Sequence, residues 1–128
     1  MEYRVIFCGD RYWKDADLIE EEMKRFPKDT TTIIEGEANG TDMLSRMVAD
    51  KLGYKVIKVR ADWKRYSLGV GPIRNVRMLD EFRANRVVAF HDDIKNSKGT
   101  AHCVREARKR RIPVRIVTHE GCGLDKFF

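Results

Sequence analysis

Four segments of this 128-residue chain combine glycine with hydroxyl, amide or basic side chains, a grouping suited to holding an oxyanion such as a phosphate. They are Gly9-Asp10-Arg11, Gly36-Glu37-Ala38-Asn39-Gly40-Thr41-Asp42, Gly69-Val70-Gly71-Pro72-Ile73-Arg74-Asn75 and Asn96-Ser97-Lys98-Gly99-Thr100. Gly36 and Gly40 let the backbone bend tightly, and the amides opening a helix at Thr41 offer donors together with the positive end of the helix dipole. Lys98-Gly99-Thr100 repeats that design and adds a charge. Arg11 and Arg74 supply bidentate donors for phosphate or carboxylate. Asp42 reads either as an acceptor for a ribose hydroxyl or as a stabilising charge in a helix first turn. Asn75 reads either as a cap of the third helix or as a partner of a base or ribose. Trp13, Trp63 and Tyr66 lie near the same segments, and of these Trp63 is the expected stacking ring.

These segments need a scaffold, and the apolar runs provide one. Tyr3 to Cys8, Thr31 to Glu35, Tyr54 to Val59, Arg86 to Phe90 and Ile112 to Thr118 read as strands, and helical patterns separate them. That alternation predicts a single α/β domain over residues 1–118, with a mostly parallel five-stranded sheet and helices on both faces. Asp17-x-x-Glu20 reads as the capping box of a helix burying Ile19, Met23 and Phe26. A second helix is expected from Thr41 to Leu52 with Gly53 as its stop, a third carrying Ile73, Val76, Leu79 and Phe82 with Pro72 in its first turn, and a fourth from near Thr100 to about Arg110. Right-handed crossovers then bring the loops after the first four strands to one sheet edge, where ligands bind in open α/β folds. Residues 119–128 are expected to form a C-terminal tail, its two phenylalanines packing on the domain or on a partner subunit.

Composition narrows the classes. No segment approaches the ~20 apolar residues of a membrane span, and the opening residues lack the pattern of a signal peptide. The three cysteines form no C-x-x-C pair, so neither a disulfide framework nor a zinc site is expected, and the reading is cytoplasmic. The histidines show no paired metal spacing, and no metal or cofactor is expected. The net charge of +6 favours anionic partners. The basic run Arg105, Arg108, Lys109, Arg110 and Arg111 reads as a solvated helix face or as a nucleic-acid footprint, the first favoured because no aromatics interleave it. No nucleophile elbow, Walker sequence or full G-x-G-x-x-G is present. Asp10, Glu35, Glu37, Asp42, Asp92 and Asp93 are unranked acid or base candidates, and no catalytic residue is assigned.

In order along the chain, Cys8-Gly9-Asp10-Arg11-x-Trp13-x-Asp15, Glu35-Gly36-x-Ala38-x-Gly40-Thr41-Asp42, Ala61-Asp62-Trp63, Gly71-Pro72-Ile73-Arg74-Asn75 and Gly99-Thr100 resemble the YspA-type branch of the SLOG superfamily. That superfamily includes Rossmann-like domains of the DNA-processing protein DprA and of the LOG phosphoribohydrolases. The resemblance implies a Rossmann-like fold, a nucleotide or nucleotide-derived ligand, and a pocket lined by Gly9, Arg11, Gly36, Asp42, Arg74, Asn75, Gly99 and Thr100. It also implies kinship with phage proteins. The chain departs from the P-G-G-x-G-T-x-x-E signature of the LOG enzymes: the first two glycines are absent, and Cys103 stands where the hydrolytic glutamate is expected. A sensor or sequestering protein for a nucleotide is therefore the leading expectation. A nucleotide hydrolase acting on an N-glycosidic or phosphate bond and a single-stranded nucleic-acid binder are the alternatives. Homo-oligomerisation is expected through the small residues of the fourth helix.

Overall fold

The computed structural model describes residues 2–61 and 69–123. Six strands and four helices follow in the order β1 (Tyr3–Gly9), α1 (Ala16–Met23), β2 (Thr31–Glu35), α2 (Thr41–Leu52), β3 (Lys55–Lys58), α3 (Val70–Asp80), β4 (Arg86–Phe90), α4 (Gly99–Lys109), β5 (Val114–Thr118) and β6 (Gly121–Gly123). The sheet order is β3-β2-β1-β4-β5-β6. β1 to β5 are mutually parallel, and β6 pairs antiparallel with β5 through Val117 and Cys122. This is the Rossmann-like α/β architecture that the alternating runs predict.

The strands are apolar along most of their length because both faces are covered. In β1, Val5 and Phe7 enter one layer with Ile19 and Met23 of α1 and Val48 of α2. Ile6 and Cys8 point the other way, into a layer with Met78 of α3 and Val104 and Ala107 of α4. The small-residue face of α4 is thereby engaged in the core, with Cys103, Val104 and Ala107 buried. Tyr54 locks the end of α1, its hydroxyl donating to the carbonyls of Met23 at 2.9 Å and Phe26 at 2.7 Å.

Several local readings change. The first helix ends at Met23, so Phe26 lies beyond it and is half-buried, and β3 spans Lys55–Lys58, one residue short of the reading at each end. The cap of α1 is Asp15, whose carboxylate accepts the Leu18 amide at 3.1 Å; Asp17 lies inside the first turn as a favourable charge. β5 begins at Val114, because Arg111 turns the chain at φ +59° and Pro113 contributes only its carbonyl, to the Val87 amide. β6 lies in the segment read as tail, since Gly-Cys-Gly carries no strand pattern and is ordered by pairing alone. The bounds of β2, α2 and β4 coincide with the sequence reading, and Gly53 closes α2 in the left-handed conformation. No helix among the described residues is long and apolar enough to cross a membrane.

Candidate functional site

Strand order reverses direction at the β1–β4 pair: the chain leaves β1 toward β2 and leaves β4 toward β5. Such a switch point opens a crevice beyond the C-terminal strand ends. An open cavity of about 1050 Å³ lies there. Gly9, Asp10, Arg11, Gly36, Asp42, Arg74, Asn75, Lys98, Gly99 and Thr100 all line it. Gly40 and Thr41 stand behind it, and Trp63 lies outside the described residues.

The loop after β1 is pinned from beneath. The Asp10 amide donates to the Phe90 carbonyl at 2.8 Å, and the Asp10 carbonyl accepts the amides of Trp13 and Thr41, each at 3.1 Å. The Thr41 hydroxyl reaches the same carbonyl at 3.0 Å. Gly40 has φ +72°, and any β-carbon on it would overlap the Arg11 backbone and the Asp10 carbonyl. The Thr41 amide, expected from sequence to face a ligand, is thus engaged within the protein.

A chain of carboxylates and guanidiniums runs along the β2–α2 side. Glu35 is fully buried at the end of β2, accepting the Glu37 amide at 2.6 Å and Arg46 at 3.2 Å. Burial pushes its carboxyl above the ordinary range despite these partners. Glu37 bridges Arg46 at 2.6 Å and Arg60 at 2.8 Å, and Arg60 above all holds its carboxyl down. Asp42 is only 6% exposed. Its carboxyl is pushed up to about 7, because burial outweighs the amides of Ala38 and Gly36 and the charge of Arg74. Sequence reasoning missed Arg46, although its place four residues after Asp42 puts both on one face of α2.

Arg74 of α3 lies across this group. Its Nη1 donates to the Gly36 carbonyl at 3.2 Å, and its buried Nε has no hydrogen-bond partner. A β-carbon at Gly36 would stand 2.8 Å from that Nε and 3.1 Å from an Asp42 carboxylate oxygen, so the absent side chain is what admits the guanidinium. An unsatisfied buried donor is costly unless something accepts from it.

On the opposite wall, Asn75 is buried and its amide donates to the Gly99 carbonyl and the His102 Nδ1, both at 3.2 Å, tying α3 to the start of α4. It therefore caps neither helix in the usual sense. Burial lowers the His102 pKa. At the start of α4, the Ser97 hydroxyl accepts the Ala101 amide at 3.0 Å, while the first-turn amides of Gly99 and Thr100 have no intrahelical acceptor. A β-carbon on Gly99 would meet nothing within 4 Å. Cys8 and Cys103 are free, buried and part of the cavity wall. Their mutual hydrogen bond, with burial, pushes the Cys8 thiol up, away from reactive thiolate.

The aromatic readings divide. Trp13 is 3% exposed, stacks on His119 at 4.3 Å and packs on Phe90, so it closes the core. Its neighbour Tyr12, which sequence reasoning passed over, lines the cavity and is 75% exposed. In the basic run, Arg110 forks onto Asp80 at 2.7 and 2.9 Å and also pairs with Glu106, while Lys109 reaches Glu106 at 2.9 Å. Those partners, Arg110 first, hold the Glu106 carboxyl down at about 2. Among the described residues no group of three or more His, Cys, Asp or Glu side chains could hold a metal ion.

Comparison with known proteins follows the same lines. A family profile described as "YspA, cpYpsA-related SLOG family" matches residues 3–66. The Gene 61 protein of Mycobacterium phage D29 is 33% identical over 120 residues, covering 87% of this chain and 93% of that protein. Among solved structures, DNA processing protein A (DprA) from Streptococcus pneumoniae superposes with a TM-score of 0.72 at 17% identity, over 91% of this chain. The chain spans 50% of that DprA chain, and at this identity the likeness is one of fold.

Proposed function

We propose, from the premise that the chain belongs to the YspA, cpYpsA-related SLOG family, that it binds a nucleotide or nucleotide-derived molecule in the edge cavity as a sensor or sequestering protein. One observation carries this reading: Arg74 is held over Gly36 with a buried, unpartnered Nε, in a cavity that four polar loops surround. A guanidinium so placed is organised to meet an anionic oxygen before a ligand arrives. The first-turn amides of Gly99 and Thr100, which have no intrahelical acceptor and belong to residues that line the cavity beside Lys98, supply a second set of donors.

A thermal-shift series with AMP, ADP-ribose, NAD, cyclic nucleotides and a short oligonucleotide, on the wild type and on Arg74→Ala, tests it. A ligand at about 100 times its Kd adds roughly 2.7 kcal/mol, a shift of several degrees for a domain this size. Stabilisation of the wild type by a small nucleotide, lost in folded Arg74→Ala, is the expected outcome. Stabilisation by the oligonucleotide alone would replace the reading with single-strand binding, which the pairing of Arg110 and Lys109 with acidic partners disfavours.

A second reading, nucleotide hydrolysis, is favoured by Asp42, whose carboxyl at about 7 can give or take a proton near neutral pH. Product formation abolished in a folded Asp42→Asn variant would establish it; intact substrate after long incubation would end it.

A further inference from the structure

We propose that Tyr12 is the base-stacking platform of the cavity, so that the ligand is a free nucleotide held by the face of its base at the rim and by its anionic group deeper in. This inference rests on the nucleotide reading above and deepens it.

Tyr12 and Met47 are the large hydrophobic side chains left exposed among the described residues, and of the two only Tyr12 borders the cavity. The other ring on the described cavity wall is His91, whose Nδ1 already accepts the Asp93 amide at 2.9 Å. The backbone beneath Tyr12 is fixed. Its amide donates to the Asp10 carboxylate at 2.9 Å, and Asp10 itself is held through both its amide and its carbonyl. With the backbone fixed, only the exposed side chain of Tyr12 is left to be ordered when a flat partner lands on it, which limits the entropy lost. Arg11 lies over one face of the ring, its guanidinium carbon 5.9 Å from the ring centroid, so a base stacks on the opposite face with positive charge behind the ring. Stacking on a π-face tolerates any base, so the platform accepts a nucleobase without selecting one by its edge.

The experiment compares AMP, GMP and CMP with ribose 5-phosphate, which keeps the sugar and phosphate but has no base, and with a short oligonucleotide. Affinities are measured by calorimetry or NMR titration on the wild type, Tyr12→Ala, Tyr12→Phe and Arg74→Ala. Tyr12→Ala should weaken nucleotide binding on the order of tenfold to a hundredfold, leave ribose 5-phosphate unchanged, and be rescued by Tyr12→Phe. Nucleotide affinity unchanged in Tyr12→Ala but lost in Arg74→Ala would overturn the platform and leave the cavity reading standing. Equal weakening of nucleotide and ribose 5-phosphate would show that Tyr12 merely shapes the loop, overturning the proposal. An effect confined to the oligonucleotide would reassign the ring to single-stranded nucleic acid. Absence of nucleotide binding by the wild type would remove the nucleotide reading and the platform with it.

Discussion

The same dipeptide opens two helices of this protein, and the fold uses it in opposite ways. Gly40-Thr41 starts α2 and Gly99-Thr100 starts α4, each after a loop at the C-terminal sheet edge. At α2 the glycine is pressed against the Arg11 backbone, and the threonine amide and hydroxyl both engage the Asp10 carbonyl. At α4 a β-carbon on the glycine would meet nothing within 4 Å, and both Gly99 and Thr100 line the cavity. A helix N-terminus offers unsatisfied amides and a positive dipole end wherever it occurs, but another loop can satisfy them before a ligand does. The start of α2 is thus a joint between loops, and that of α4 an open anchor.

The largest expected effect breaks the joint. Gly40→Ala adds a β-carbon where φ is +72° and where the Arg11 backbone already lies. Strain and overlap together should cost about 3 kcal/mol or more, a large share of a small domain's stability, as read by urea denaturation. A loss below about 1 kcal/mol would show that the two loops separate readily and that the start of α2 is as open as that of α4.

Asp42, in the first turn of α2, sharpens the contrast through pH. Its folded-state pKa of about 7 lies above the ordinary 3.8. Between these values the folded chain keeps a proton that the unfolded chain has released, so stability falls as pH rises and levels off above about 7. The slope should be on the order of 1 kcal/mol per pH unit, with Glu35, also pushed up by burial, acting in the same direction. Asp42→Asn should remove most of that slope in melting curves taken from pH 4 to pH 8. An unchanged slope would assign the pH dependence to Glu35 and leave Asp42 hydrated at the cavity surface.

The smallest effect on folding is expected at the open anchor. Gly99→Ala meets no neighbour within 4 Å and should change stability by no more than about 0.5 kcal/mol. The same methyl group stands at the cavity wall and should weaken nucleotide binding. A destabilisation like that of Gly40→Ala would erase the distinction between the two helix starts.

Much of the scaffold was legible because its signals are local. Apolar runs bounded by turn residues marked β2 and β4, and apolar spacing with Gly53 marked α2 from Thr41 to Leu52. The loops could be placed on one edge because parallel strands joined by right-handed crossovers leave no other arrangement. Less of the site could be read. Tyr12 and Trp13 are adjacent and both aromatic, yet one is exposed at the cavity and the other buried against Phe90 and His119. Asn75 sits beside Arg74, but its partners Gly99 and His102 lie 24 and 27 residues away.

By itself the sequence determined the element order as far as β5, the covered parallel sheet and the family, because hydrophobic period, glycine stops and ordered short motifs act within a few residues, whereas β6 exists only through its pairing with β5. Tertiary structure alone decided which glycine closes a joint and which opens on the cavity, which carboxylate is pushed toward neutrality, and which arginines are already paired. Those outcomes depend on burial and on contacts such as Thr41 with Asp10 and Arg110 with Asp80, made between residues 31 and 30 positions apart. Desolvation and close approach take effect only once such distant groups meet.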